Sequence, residues 1–169
     1  MSSEKALPKI ITEDPGELNI GIDLDGVVAN ISSEVRKMVL EGLGIDASLA
    51  GNRKNSRGPQ FVLGMWDNPA LYEAAEQIPG AVDTINEWRT HGFQIWFITA
   101  RTKNSVGEAT LNWLERNGLG WAKKEKRVLF PQPSDKDKVL FKSRAVKKLA
   151  LHIVIEDYAN ILRTYVHHH

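Results

Sequence analysis

Cysteine is absent from the 169 residues. Disulfides, thiolate metal sites and cysteine nucleophiles are therefore excluded, and a reducing cytoplasm fits. No stretch reaches the roughly 20 apolar residues of a membrane-spanning helix. Met1 to Gly16 carries Pro8 and Pro15 and has no apolar run of signal-peptide length. Neither sign of charge dominates: 22 basic and 21 acidic residues leave a net charge of +1. No large field then favours an anionic membrane or nucleic acid as a structural partner, and a small polyanion would need a local cluster of cations. Repeats and low-complexity tracts are missing too. What is present is ordinary for one cytoplasmic globular domain: 42% apolar and 25% charged residues, enough to bury a core. A homodimer is compatible with this composition. His167, His168 and His169 resemble the end of an affinity tag.

Two hydrophobic periods alternate along the chain. Asn19 to Leu24, Phe93 to Ile98, Arg127 to Phe130 and Leu151 to Ile155 are short apolar runs that predict buried strands. Helical spacing covers Ile31 to Leu40, ended by Gly42 and Gly44, and a helix opening at Pro79-Gly80 and stopped by Gly92. It returns at Phe141 to Leu149 and Tyr158 to Tyr165. Ser105 and Glu108 have the spacing of a capping box, which predicts a helix start there, running to Asn117 with Gly118 at its end. Residues 43 to 76 are less regular, with a loop over Asn52 to Pro59 and a short helix over Pro69 to Gln77. Strands alternating with helices predict an α/β fold: a three-layer, Rossmann-like parallel sheet with helices on both faces. Ligands of such sheets sit outside the carboxyl ends of the strands.

Those ends carry the chemistry. The first strand runs into Asp23-Leu24-Asp25-Gly26. Two carboxylates two positions apart in extended chain point to one side, and their repulsion calls for a cation or a proton. Gly26 permits a sharp turn or a close backbone approach. The second strand runs into Thr99-Ala100-Arg101, a hydroxyl and a guanidinium suited to an oxyanion. The fourth ends in Glu156-Asp157, with Lys142 fourteen residues earlier. Each alone has an ordinary explanation: a turn, a helix start, an acidic N-cap, a solvated lysine.

Their order and spacing together resemble the four motifs of the haloacid-dehalogenase-like phosphatases. The D-x-D-G motif is Asp23, Asp25 and Gly26; the second motif is Thr99, the third Lys142, the fourth Glu156 and Asp157. The resemblance implies that Asp23 attacks phosphorus and forms an aspartyl-phosphate. It implies that Asp25 protonates the leaving alkoxide and later deprotonates water. An acid at that position also separates phosphate-ester chemistry from dehalogenation, whose halide needs no proton. The resemblance implies Mg²⁺, held by Asp23, the backbone carbonyl of Asp25 and a carboxylate of the last motif. Many members carry Asp-Asp there, so which side chain touches the metal stays open: Asp157 is preferred, with Glu156 behind it or in its place. Thr99, Ala100, Lys142 and backbone amides near Gly26 would hold phosphoryl oxygens, and Arg101 would reach the phosphate or the cap side of the substrate.

The same resemblance divides the chain into a tail (1–17), a core (18–30 and 79–166) and a small cap insert between the first two motifs (31–78). In the insert, Arg53, Lys54 and Arg57 beside Phe61 and Trp66 either hold a phosphate and stack a base or form a solvated loop with core aromatics. D-L-D-G-V-V-A at Asp23 to Ala29, and the block from Pro79 to Arg101, are similar to the 5'(3')-deoxyribonucleotidase-like branch. The expected ligand is a small phosphorylated substrate, a nucleotide first. The alternatives are a sugar phosphate, a polynucleotide 3' end, or a non-catalytic binding protein of the same fold. Trp88, Trp96 and Trp113 are expected in the core, His91 and His152 in structural roles, and Lys123 to Arg127 as solvated surface.

Overall fold

The computed structural model describes residues 16, 18–44, 46, 58–135 and 137–166. Among these, four strands form one sheet in the order β3-β2-β1-β4: β1 Asn19–Ile22, β2 Gln94–Ile98, β3 Val128–Leu129 and β4 Ile153–Ile155. All three pairings are parallel. Ile22 lies opposite Phe97 on one side and Ile155 on the other. This register brings Asp23, Thr99 and Glu156, which follow β1, β2 and β4, to one edge of the sheet.

Side-chain alternation covers both faces. Ile95 and Phe97 of β2 join the larger core, with Ile20, Ile22 and Ile155. Trp96 and Ile98 join a second cluster on the opposite face, with Phe141, Ala145, Val146 and Leu151. The larger core is closed by helices α4 (Ala81–Thr90) and α5 (Lys103–Leu114), the second cluster by α7 (Lys138–Lys148). Gly21 faces the second cluster, where a Cβ would lie 2.4 Å from Leu151 Cδ1, so only glycine lets Leu151 pack there. The Rossmann-like α/β layering expected from the sequence is what the chain adopts.

The segment between β1 and α4 supplies α1 (Ile31–Leu43), α2 (Gly58–Met65) and α3 (Pro69–Ala74). Asn30 caps α1 by accepting from the Ser33 N–H at 3.2 Å, and Gly44 ends it in the left-handed region. Val39, Met65, Leu71 and Tyr72 bury into the same cluster as Ile22 and Phe97, so these helices share the main core. Helix α2 was not expected, because Gly58-Pro59 has loop composition; a proline fits the first turn, where its missing N–H has no helical partner.

The Ser105–Glu108 capping box is corrected. Helix α5 begins at Lys103 with Thr102 as its N-cap. The Ser105 hydroxyl instead bonds Asp67 Oδ1 at 2.8 Å, and Glu108 pairs with Lys123. The helix ends where the sequence placed its stop: Asn117 leaves helical geometry, Gly118 turns left-handed at φ 79°, and the short helix α6 (Gly120–Lys124) begins beyond this kink. Helix α8 is Ala159–Val166. Trp113 is fully buried, Trp88 packs on the main core, and Trp96 packs on the second cluster under the Arg127 guanidinium. His152 Nδ1 accepts the Asn19 N–H, and the His91 ring lies against the Glu87 carbonyl. No helix among the described residues is long and apolar enough to cross a membrane.

Candidate active site

Asp23 leaves β1 while still joined to the sheet, its N–H donating to the Ile155 carbonyl at 3.0 Å. The chain then turns sharply. The Leu24 carbonyl accepts from both Val28 and Ala29, and Gly26 takes φ 78°. Two separate features require glycine there. The positive φ is one. The other is space: a Cβ on Gly26 would lie 2.0 Å from Asp157 Oδ2. The last-motif carboxylate thus rests directly on the first-motif backbone.

Lys142 comes from α7 and is 2% exposed. Its ammonium bridges Asp23 Oδ2 and Glu156 Oε2, each at 2.6 Å. Glu156 Oε1 accepts the Tyr158 N–H at 3.2 Å, so both of its oxygens are engaged. Oxygens of Asp23, Glu156 and Asp157 all lie within 4.8 Å of one another. Two of these three carboxylates therefore share one ammonium, and Asp157 stands beside them. Burial pushes the Asp23 carboxyl up to about 7; Lys142 opposes the rise, while Glu156 and Asp25 add to it. Asp157 is also raised, first by partial desolvation and then by Glu156 beside it.

This donor set fits a small hard dication. All three donor groups are carboxylates offering oxygen, and they gather where Lys142 supplies a single positive charge. With Glu156 tied to Lys142 and Tyr158, Asp157 is the better-placed direct ligand of the acidic pair.

Thr99 is fully buried, with its N–H on the Leu129 carbonyl and its hydroxyl accepting from the Arg101 N–H at 3.1 Å. Arg101, 2% exposed, grips Asp25: Nε and Nη2 reach Oδ1 at 3.0 and 2.6 Å. Its Nη1 reaches the Thr110 hydroxyl, and the guanidinium lies 4.3 Å over the Tyr72 ring. Tyr72 in turn donates its hydroxyl to the Trp66 carbonyl at 2.8 Å. An anchored chain thus runs from the insert to Asp25.

A cavity of about 350 Å³ opens beside Asp25, between Trp66 and Tyr72 of the insert and Ala100, Arg101 and Thr102 after β2, with Lys138 at its side. Trp66, 41% exposed, lines it. Phe61 does not; its ring fills the space over Gly42 on α1, 2.3 Å from where a Cβ would stand. Arg53, Lys54 and Arg57 lie outside the described residues. Sequence reasoning missed Tyr72, Asp67 and Lys138. The Asp67-Asn68-Pro69 helix-start signature could have placed the first two near a turn; nothing local distinguished Lys138 from a solvated lysine.

The family model described as PITM 1-3, LNS2 domain, matches residues 45–166. Among solved structures, a haloacid dehalogenase-like family hydrolase from Streptococcus pneumoniae superposes with a TM-score of 0.61 at 12% identity, over 90% of this chain and 81% of that one. The class C acid phosphatase from Bacillus anthracis with tungstate bound matches at 26% identity and TM-score 0.56, over 85% of this chain and 52% of that one. A second structure of that phosphatase gives 27% and 0.54, over 80% and 49%. The chain thus spans about half the length of the acid phosphatase it matches. No curated protein matches it. The fold is that of the haloacid-dehalogenase-like hydrolases.

Proposed function

The chain belongs to the family described as PITM 1-3, LNS2 domain, and we propose that it is a Mg²⁺-dependent phosphomonoester hydrolase acting through an aspartyl-phosphate on a nucleotide. One observation carries this reading: Asp23, Glu156 and Asp157 meet at one edge of the parallel sheet, and the first two share the ammonium of Lys142. The likeness to an acid phosphatase supports the reaction class.

Asp23 attacks phosphorus; the new O–P bond forms as the bond to the leaving oxygen breaks. Asp25, held by Arg101, gives that oxygen its proton. Water then attacks the aspartyl-phosphate, Asp25 takes its proton, and inorganic phosphate leaves. Lys142, the Thr99 hydroxyl and amides of the Gly26 turn steady the phosphoryl oxygens. Mg²⁺, when bound by Asp23, the Asp25 carbonyl and Asp157, offsets the repulsion between carboxylate and phosphate. Residues 31–78 serve as the cap, with Trp66 offering a stacking surface to a base.

The test is phosphate release from an aryl phosphate, then from panels of nucleotides and sugar phosphates, with Mg²⁺ and with chelator. Chelation and Asp23→Asn should each lower turnover at least a thousandfold while the circular dichroism spectrum is kept. Full activity in Asp23→Asn would remove the nucleophile assignment. Sugar phosphates turning over far faster than every nucleotide would remove the nucleotide reading.

A further inference from the structure

Beside the cavity at Asp25 lies a second one of about 200 Å³, and Thr102 and Lys138 line both. Its walls are rich in donors. Lys103 and Lys138 bring two ammoniums, Asn104 and Gln132 two amides, and Thr102 a hydroxyl that makes no cap bond to α5. The carboxylate among these walls, Asp135, is already engaged, accepting the Gln132 N–H at 2.7 Å and pairing with Arg144. A further cavity of about 490 Å³ beside β3 shares Lys103, Gln132 and Asp135 with it and is also lined by Lys148. None of these side chains has a part in the chemistry at Asp23.

We infer that this second cavity is a subsite for another phosphate on the substrate's alcohol portion. The inference rests on the phosphatase reading of the first cavity. Two ammoniums match a phosphate dianion, and the surrounding amides and hydroxyl supply the further bonds its oxygens accept. Both ammoniums are exposed at the cavity and would be unused by a neutral sugar or base, and Asp135, already engaged, repels an anion less than a free carboxylate would. The favoured class is therefore a bisphosphate: one phosphoryl group at Asp23, the connecting nucleoside past Arg101 and Trp66, and the other phosphate between Lys138 and Lys103.

Adenosine 3',5'-bisphosphate, adenosine 5'-monophosphate, adenosine 3'-monophosphate and an aryl phosphate are compared on the wild type and Lys103→Ala. The bisphosphate should show a KM about tenfold below either monophosphate. Lys103→Ala should raise the bisphosphate KM about fivefold, as expected for one lost phosphate contact. Its kcat, the monophosphate KM and aryl phosphate turnover should stay unchanged. Equal KM values for bisphosphate and monophosphates, or a Lys103→Ala effect shared by all substrates, overturns the subsite. A protein that fails to hydrolyse the aryl phosphate removes the phosphatase reading instead. The subsite is then read by calorimetry, where an equal bisphosphate Kd for wild type and Lys103→Ala overturns it.

Discussion

Replacing Lys142 with Met isolates the electrostatics of the site, because Met keeps most of the buried stem and removes the charge. In the wild type the ammonium lies 2.6 Å from both Asp23 and Glu156 and is 2% exposed. Without it, neighbouring carboxylates face one another with no counter-charge. Breaking a buried ion pair by removing one partner costs about 3–5 kcal/mol. For a domain of this size, each kcal/mol shifts the midpoint by about 2–4 °C, so the melting temperature should fall by about 6–20 °C. The loss should depend on pH. Asp23 already has its carboxyl raised to about 7 against the pull of Lys142. Losing that pull raises it further, so at pH 5 a proton replaces the missing charge, whereas at pH 8 protonation offers much less relief. Mg²⁺ should restore part of the loss, since a dication supplies the same compensation. Differential scanning calorimetry at pH 5 and pH 8, each with Mg²⁺ and with chelator, reads all of this. A variant melting with the wild type at pH 8 in chelator, or losing equally at both pH values, would refute the reasoning.

Other perturbations test separate parts of the site. Gly26→Ala places a Cβ 2.0 Å from Asp157 Oδ2 at φ 78°, and should cost at least about 1–2 kcal/mol in denaturant titrations and weaken Mg²⁺ binding. In chelator, the wild type should lose stability as pH rises from about 4 to about 7. Asp23 is raised from 3.8 to about 7, so the folded state holds its proton longer than the unfolded chain, an advantage that fades through this window; a rise in urea midpoint across it would contradict the assignment. Arg101→Lys keeps a positive charge but loses the two-nitrogen grip on Asp25 and the position over Tyr72. Its turnover should drop about tenfold or more with alkyl phosphates, whose leaving group needs a proton, and much less with a nitrophenyl phosphate. Equal losses on both substrates would separate Arg101 from proton transfer.

The sheet could be read from the sequence because buried parallel strands leave an unmistakable trace: short runs such as Ile95 to Ile98, apolar at every position since both faces are covered. The strand ends were harder to place. The apolar run reaching Leu24 suggested a longer first strand, yet pairing stops at Ile22 because the chain turns so that Leu24 can accept from Val28 and Ala29. Helix α2 was hidden by its own start, where Gly58-Pro59 has turn composition and tertiary packing of Met65 decides. Ser105 and Glu108 match a capping pattern, but Thr102 already stands before the first helical residue, leaving Ser105 free to tie α5 to Asp67 of the insert.

Proximity in the candidate site divides along the same line. Asp23, Thr99 and Glu156 come to one edge because strand register puts them there, and register follows from apolar runs that are visible in the sequence. Lys142 joins them because α7 packs Phe141, Ala145 and Val146 on the sheet, leaving the remaining face of the helix to aim at the strand ends. The partnership of Arg101 with Asp25 has no such local origin. It spans 76 residues and depends on Tyr72, a residue of the irregular insert, lying flat beneath the guanidinium. A pattern of alternating strands and helices sets where the ends of strands meet. It does not set which cation holds which carboxylate, since that choice is made by side chains arriving from helices whose rotation is fixed only when the core closes.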